Sequence, residues 1–339
     1  MMERRVSEES VMSVLHAFKS QRPEDTVAIN HMVRKAERAI DIYTKDKLLH
    51  KEIGVATLLH SLIDLAIDDR GKHYVAYAIL AYDGEEDPAA FLIQLAETWL
   101  TYLLCPVKAS GNTKKGISSS TRHSPHTQET AQLIEGASRG DQKAFHTLLR
   151  LRQGDRCPIT GNYGIEASMD FVRSQQAFHG ATIACHILPF SSNYFQQPSE
   201  SLDMIAAWGS FDVRKLAGLK TNGPSNGLLL RADLGPMFSN FKLWFEKTNA
   251  PDTYTVKAGD VFTEYAGKVV TFVNAHSEGI DLPDPQILEL HAAFSRVLYL
   301  TGAGEYFEAY WRDMDELRVL ASDGSTRLDS LLYGLGLMR

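Results

Sequence analysis

The sequence predicts an α+β protein, and three observations carry that expectation. Apolar residues recur at three- and four-residue spacing through most of the first 105 positions. A stretch at 106–128, rich in Ser, Thr, Gly and Lys, has almost no apolar side chains. Beyond it, short β-branched or alternating runs bounded by Gly, Asn and Pro give way to two long helical patterns.

In VAINHMVRKAERAIDIY, the residues Ile29, Met32, Val33, Ala36, Ala39, Ile40 and Tyr43 form one apolar stripe. LLHKEIGVATLLHSLIDLAI and HYVAYAILAY continue the pattern, and PAAFLIQLAETWLTYLL opens with Pro88, which suits a first helical turn. A helical bundle domain is therefore expected at 1–105, followed by a flexible basic linker at 106–128 and a second domain at 129–339. At roughly 150 residues per domain, a chain of this length holds about two. In the second part, ETAQLIEGASRGDQKAFHTLLRL reads as one helix, and KLWFEK, TYTVKAG and GKVVTFV read as strands. DPQILELHAAFSRVLYL and EYFEAYWRDMDELRVLA read as closing helices, with a short RLDSLLYGLGL tail.

Composition narrows the function classes. With 44% hydrophobic and 23% charged residues, the chain is neither disordered nor fibrous in type. Three cysteines (Cys105, Cys157, Cys185) without a Cys-x-x-Cys pair argue against a disulfide framework and a four-cysteine zinc site. The opening MMERRVSEES lacks the apolar core of a signal peptide, so an intracellular location, cytoplasmic or nuclear, is expected. Apolar runs such as WLTYLLCPV from Trp99 fall short of the ~20 residues a membrane span needs, so no membrane association is expected. The net charge of −7 is uneven: residues 1–105 carry −5, 106–250 carry +5 and 251–339 carry −7. Affinity for phosphate backbones comes from Lys and Arg that displace counterions. Any nucleic-acid contact is thus confined to 106–250 and weak, with Lys114 and Lys115 in the linker as its carriers.

Three pieces stand in order: RCPITGN at 156–162, ATIACHILPFSSN at 181–193 and NGLLLRADLGPMFSNF at 226–241. Taken alone they predict a turn with a Cys, a buried strand carrying His186, and a helix start at Asn226-Gly227. A His on such a strand is as a rule a hydrogen-bonded core residue. Together, the Cys-x-x-Thr-Gly turn, the Cys-His-Ile-x-Pro-Phe strand and the Asn-Gly-x-x-Leu segment resemble the His-Asn-His (HNH) endonuclease domain, in the branch abundant in fungal genomes. The resemblance covers 156–245, and Pro285 through His291 is similar to that family's later helix. It implies a ββα-metal fold, a hairpin and one helix around a single divalent ion, Mg²⁺ or Mn²⁺. It also implies His186 as the base that activates water, Asn226 as the residue that orients the site, and a last His on the helix as a metal ligand.

The sequence departs from that pattern where the ligand is needed. The family's last His falls on Gly235, and the Asp after the Phe falls on Ser239. Pro236 disfavours helical geometry at Gly235, so the helix is expected to break or end there. Cys185, the residue before His186, is a soft donor poorly suited to Mg²⁺. Asp233 and Cys185 remain the candidate metal ligands, and a conventional metal site is expected to be absent. Three readings follow. The first is an HNH-like domain with weak or lost nuclease activity. The second is a scaffold recruited to a small-molecule ligand of natural-product type, with His186 as acid/base. The third is an active endonuclease with altered ligands; fold alone does not choose between them.

Other clusters have plainer readings. Asp64, Asp68 and Asp69 have carboxylates one helical turn apart, a spacing able to hold Mg²⁺ against a diphosphate, but read as an exposed helix end. Asp313, Asp315 and Glu316 read as a solvated helix face. His123 and His126 read as linker histidines, and His291 as a packing residue. Cys157, Cys185, His186 and His179 could together hold zinc, against the simpler reading of buried thiols.

Overall fold

Four of the N-terminal helices begin on a side chain that satisfies a first-turn amide. Ser7 caps α1 (Glu8–Ala17), and Asp25 caps α2 (Thr26–Thr44) by accepting from the Ala28 amide at 2.8 Å. The predicted stripe on α2 buries Ile29, Ala36, Ala39 and Ile40. LLHKEIG is not helical: β1 (Leu48–Leu49) and β2 (Ile53–Gly54) form a small hairpin, with His50 and Lys51 at positive φ in its turn. α3 (Val55–Asp64) and α4 (Asp69–Leu80) follow, the second capped by Asp68 through the Gly71 amide. Asp64, Asp68 and Asp69 therefore mark a helix-to-helix boundary, where Asp69 accepts from Thr26 Oγ1 at 2.7 Å. The computed structural model describes residues 7–21, 25–111, 127–138, 141–189, 199–216, 221–259, 264–275 and 279–317.

α5 (Pro88–Trp99) is capped by Asp87 and continues through a π-helical turn (Leu100–Leu104) into α6 (Cys105–Gly111). The wide turn ends just before Pro106, which has no N–H to give to a preceding carbonyl. Residues 106–111, the start of the stretch expected as linker, are helical. The joined helix Pro88–Ser110 is 23 residues long with a mean hydropathy of 1.4, so by length and composition it could cross a membrane. Over half of its apolar window is buried in the protein, including Phe91, Leu95, Trp99 and Leu103. Lys114, Lys115, His123, His126 and the RLDSLLYGLGL tail lie outside the described residues.

The segment 129–151 forms two helices, α7 (Thr127–Ser138) and α8 (Gln142–Gln153), because Asp141 caps a new start through the Lys143 and Ala144 amides. Gly154, at φ 61°, ends α8 with a left-handed turn. In the 156–162 turn the Cys157 amide donates to the Asn162 carbonyl and the Gly161 amide returns to the Cys157 carbonyl. β3 (Tyr163–Gly164) and β4 (His179–Gly180) pair in parallel around α9 (Met169–Ser174). β5 (Thr182–His186) pairs antiparallel with β6 (Gly227–Arg231), His186 opposite Gly227 and Thr182 opposite Arg231. α10 (Ser199–Gly209) lies between these strands in sequence, and α11 (Leu234–Ser239) follows them. Asn226-Gly227 therefore opens a strand, not a helix.

The three expected strands are present, and β7 (Leu243–Lys247), β8 (Thr253–Ala258) and β9 (Val269–Thr271) pair as an antiparallel meander. α12 (Pro285–Thr301) and α13 (Ala303–Leu317) close the described chain. The fold is α+β. One hydrophobic cluster runs from Val11 on α1 to Phe307 on α13 and includes β5, β6, α11 and the meander. Trp208 of α10 is fully buried, and its indole donates to the Leu62 carbonyl of α3 at 2.8 Å. A smaller cluster packs Phe145, Leu148 and Leu149 of α8 on Leu229 and Ile280.

Candidate functional site

Alternation along β5 sends Ile183 and Cys185 to one face of the hairpin and Ala184 and His186 to the other. α11 covers the first face. A Cβ at Gly235 would meet Ile183 Cδ1 at 2.3 Å, Ile183 Cγ1 at 2.7 Å and Cys185 Sγ at 2.9 Å. The glycine is what lets helix and strand approach. The break expected at Gly235–Pro236 does not occur: Pro236 sits in the first turn of α11, where no N–H is needed.

Cys185 is buried, and burial pushes its thiol up to about 12, with nearby Cys157 adding to the rise and a Ser239 hydrogen bond opposing it. A thiol held protonated is a poor metal ligand. Asp233 sits at the N-terminal cap position of α11, where Arg231 grips it through Nε and Nη2, each at 2.6 Å. That grip holds the Asp233 carboxyl below its ordinary value. Arg231 pairs with Thr182, four residues along β5 from His186, a separation of about 13 Å at the usual strand rise. The structure therefore does not bring Asp233 to His186. The family's divalent ion does not suit the residues gathered under α11. Gly235 offers no donor, Cys185 is a neutral thiol, and Ile183 fills the space. Among the described residues, no three His, Cys, Asp or Glu side chains stand close enough together to hold a metal ion. His179 instead contacts the Ala167 carbonyl through Nε2 at 3.2 Å.

The second face belongs to α8. The His186 ring stacks on Phe145 with centroids 4.5 Å apart and planes at 11°. Gly227, opposite His186, is required here too, because a Cβ would lie 2.4 Å from the Phe145 ring. His186 Nε2 lies 2.7 Å from Asn222 Oδ1, and Gln142 Nε2 donates to the same oxygen at 3.2 Å.

Asn226 is fully buried and committed to backbone. Its Oδ1 accepts from the Leu188 amide at 2.9 Å, and its Nδ2 donates to the carbonyls of Leu188 and Thr221, both at 3.0 Å. It fastens the exit of β5 to the entrance of β6. Arg152, also buried, reinforces that fastening. Its guanidinium donates to the carbonyls of Pro224, Asp281 and Gly227 and to Gln153 Oε1. Burial pulls Arg152 below its ordinary value, with Asp281 opposing. Gln153 in turn brackets Leu229, accepting from its amide and donating to its carbonyl, each at 2.8 Å.

His291 is a core residue. It is fully buried, donates from Nε2 to the Phe238 carbonyl at 3.0 Å and stacks on Phe238 and Phe241. Burial pushes it down to about 3, so it is neutral. It braces the end of α11.

The sequence pointed to His186 and Asn226 but not to Asn222, Gln142, Phe145 and Arg152, which the fold gathers around them. Gln142 and Phe145 lie three apart on α8, a spacing that puts both on one helix face, and this was the available signal. No curated protein and no solved structure matches the chain. Residues 157–246, which hold the β5–β6 hairpin and α11, match the family model described as HNH endonuclease, so this chain carries an HNH domain.

Proposed function

We propose that this HNH domain has a degenerate metal site at the last His, of the fungal type, and that its nuclease activity is weak or lost. The close packing of Gly235 against Ile183 and Cys185 carries this reading, since a ligand side chain has no room there. His186 serves as a metal-free acid/base or hydrogen-bonding group, with Asn226 as the residue that shapes its loop. Residues 1–105 form a helical domain, 106–128 join it to the HNH-like part at 129–339, and the protein works inside the cell. Nucleic-acid contact through 106–250 is weak and steeply salt-dependent.

The test is calorimetry with Mg²⁺ and Mn²⁺ on the full chain, alongside plasmid nicking in the same ions. No saturable binding and no nicking above the His186→Ala level are expected. A 1:1 site of micromolar affinity lost in His186→Ala, with ion-dependent nicking, would establish the active endonuclease instead. A second reading, recruitment to a small molecule, is favoured by one observation. His186 faces Phe145 and Asn222, an aromatic wall and an amide, on the side of the hairpin away from α11.

A further inference from the structure

A cleft of about 330 Å³ opens where the end of α3 and its link to α4 meet β7, β8 and α12. That volume is at the small end of the ~300–1,000 Å³ usual for small-molecule sites. Its wall is apolar at Ile67, Phe245, Ala292 and Ala293, and Tyr254 stands beside them. Tyr254 is 3% exposed, and its ring packs against Phe245 and Phe272, which leaves the hydroxyl end to the cleft. That hydroxyl has no hydrogen-bond partner among the described residues, so it is satisfied only by what enters the cleft. Burial pushes it up to about 12, with the carboxylates of Asp252, Asp284 and Glu289 adding to the rise. It stays a neutral hydroxyl in a negative field.

The charged lining points the same way. Glu246 is committed, with Lys257 at 3.5 Å and Arg296 at 4.0 Å. Asp64 and Glu289, from opposite walls, take no hydrogen bond or ion pair among the described residues. Asp64 is the last residue of α3, where the carbonyl end of the helix itself favours a cation. Lys247 reaches the rim from the exposed end of β7, yet three carboxylates against Lys247 and Arg296 keep the lining negative. We propose that this cleft binds a small organic cation: an amine held by Asp64 and Glu289, its apolar body on Phe245 and Ala292, with the Tyr254 oxygen as a further acceptor. An organic acid would instead meet two unpaired carboxylates. The site uses neither His186 nor a metal, so it stands or falls apart from the nuclease question.

The experiment is calorimetric titration of the full chain with phenethylamine, phenethyl alcohol and hydrocinnamate, which share one ring and differ in charge. The amine should bind saturably in the millimolar range or tighter, the alcohol at least about threefold more weakly, and the acid not at all. Glu289→Gln and Asp64→Asn should each weaken the amine by about three- to tenfold, and Tyr254→Phe by about twofold or more. Tyr254→Phe removes a hydroxyl that bonds to no described residue, so its unfolding midpoint should match the parent's and keep it a usable variant. Glu37→Gln, on α2 and outside the cleft, should bind like the parent. Absence of saturation by the amine overturns the proposal, as does equal binding of the acid. So does parent-like affinity in whichever of the three cleft variants fold, which would place the amine elsewhere on the protein.

Discussion

Ile183 Cδ1 occupies the place that a side chain at Gly235 would need, 2.3 Å from where its Cβ would be. Strand and helix are packed closely at this point, so a larger side chain at Gly235 would have to displace Ile183. Gly235→Ala should destabilise the fold by about 1–3 kcal/mol through overpacking. Guanidinium denaturation measures this, and an unchanged midpoint would mean that α11 does not pack as described. Restoring ligands with Gly235→His and Ser239→Asp should give no Mn²⁺ binding unless Ile183→Ala is added to open the space.

Asn226→Ala removes one acceptor and two donor contacts from a fully buried amide and strands the Leu188 and Thr221 groups. The expected loss is about 2–4 kcal/mol, since stranded buried polar groups cost more than the bonds themselves contribute. Urea unfolding checks it. A loss below about 1 kcal/mol would show that the β5–β6 junction is held elsewhere.

His291 sets a pH dependence whose sign follows from its burial. Its folded value of about 3 lies below the ordinary histidine value, so at intermediate pH only the unfolded chain takes up the proton. Stability from this group is complete above the unfolded value and falls as pH drops toward 3. The slope is at most about 1.4 kcal/mol per pH unit. His146, also lowered chiefly by burial, adds in the same direction. His291→Gln should flatten the decline between neutral pH and the onset of carboxylate titration, as read by unfolding midpoints across that range.

Thr182 carries a buried hydroxyl with no partner among the described residues, packed against Gly164. Thr182→Val keeps the shape and removes an unsatisfied polar atom. It should leave stability unchanged or raise it by about 1 kcal/mol. A clear loss on thermal melting would reveal an ordered water bonded to that hydroxyl.

The helices with an apolar stripe were legible because three- and four-residue spacing is local information. Ile29, Ala36 and Ile40 of α2 are buried as the stripe requires. The β7–β9 strands were legible for the same reason. The β1–β2 hairpin was missed because Leu48, Leu49 and Ile53 fit a helical stripe equally well, and only its turn backbone at His50 and Lys51 departs from it. His186 was visible through its wording with Ile187 and Pro189, yet its partners were not. Asn222 lies 36 residues away and meets it only after β5 and β6 pair. Arg152 reads as an ordinary basic residue at a helix end until the Pro224 and Gly227 carbonyls close around it.

The indole of Trp208 reaching the Leu62 carbonyl has a practical consequence. Trp208 belongs to the stretch that matches the nuclease family, while Leu62 belongs to α3, nearly a hundred residues before that stretch begins. A gene fragment cut to the family boundaries would carry this tryptophan into water as a naked apolar surface and leave its burial site behind. The HNH segment is in that sense not a cassette that can be lifted out. Transplants, domain-level assays and truncation libraries built on 157–246 alone would report on a sticky remnant rather than on the protein.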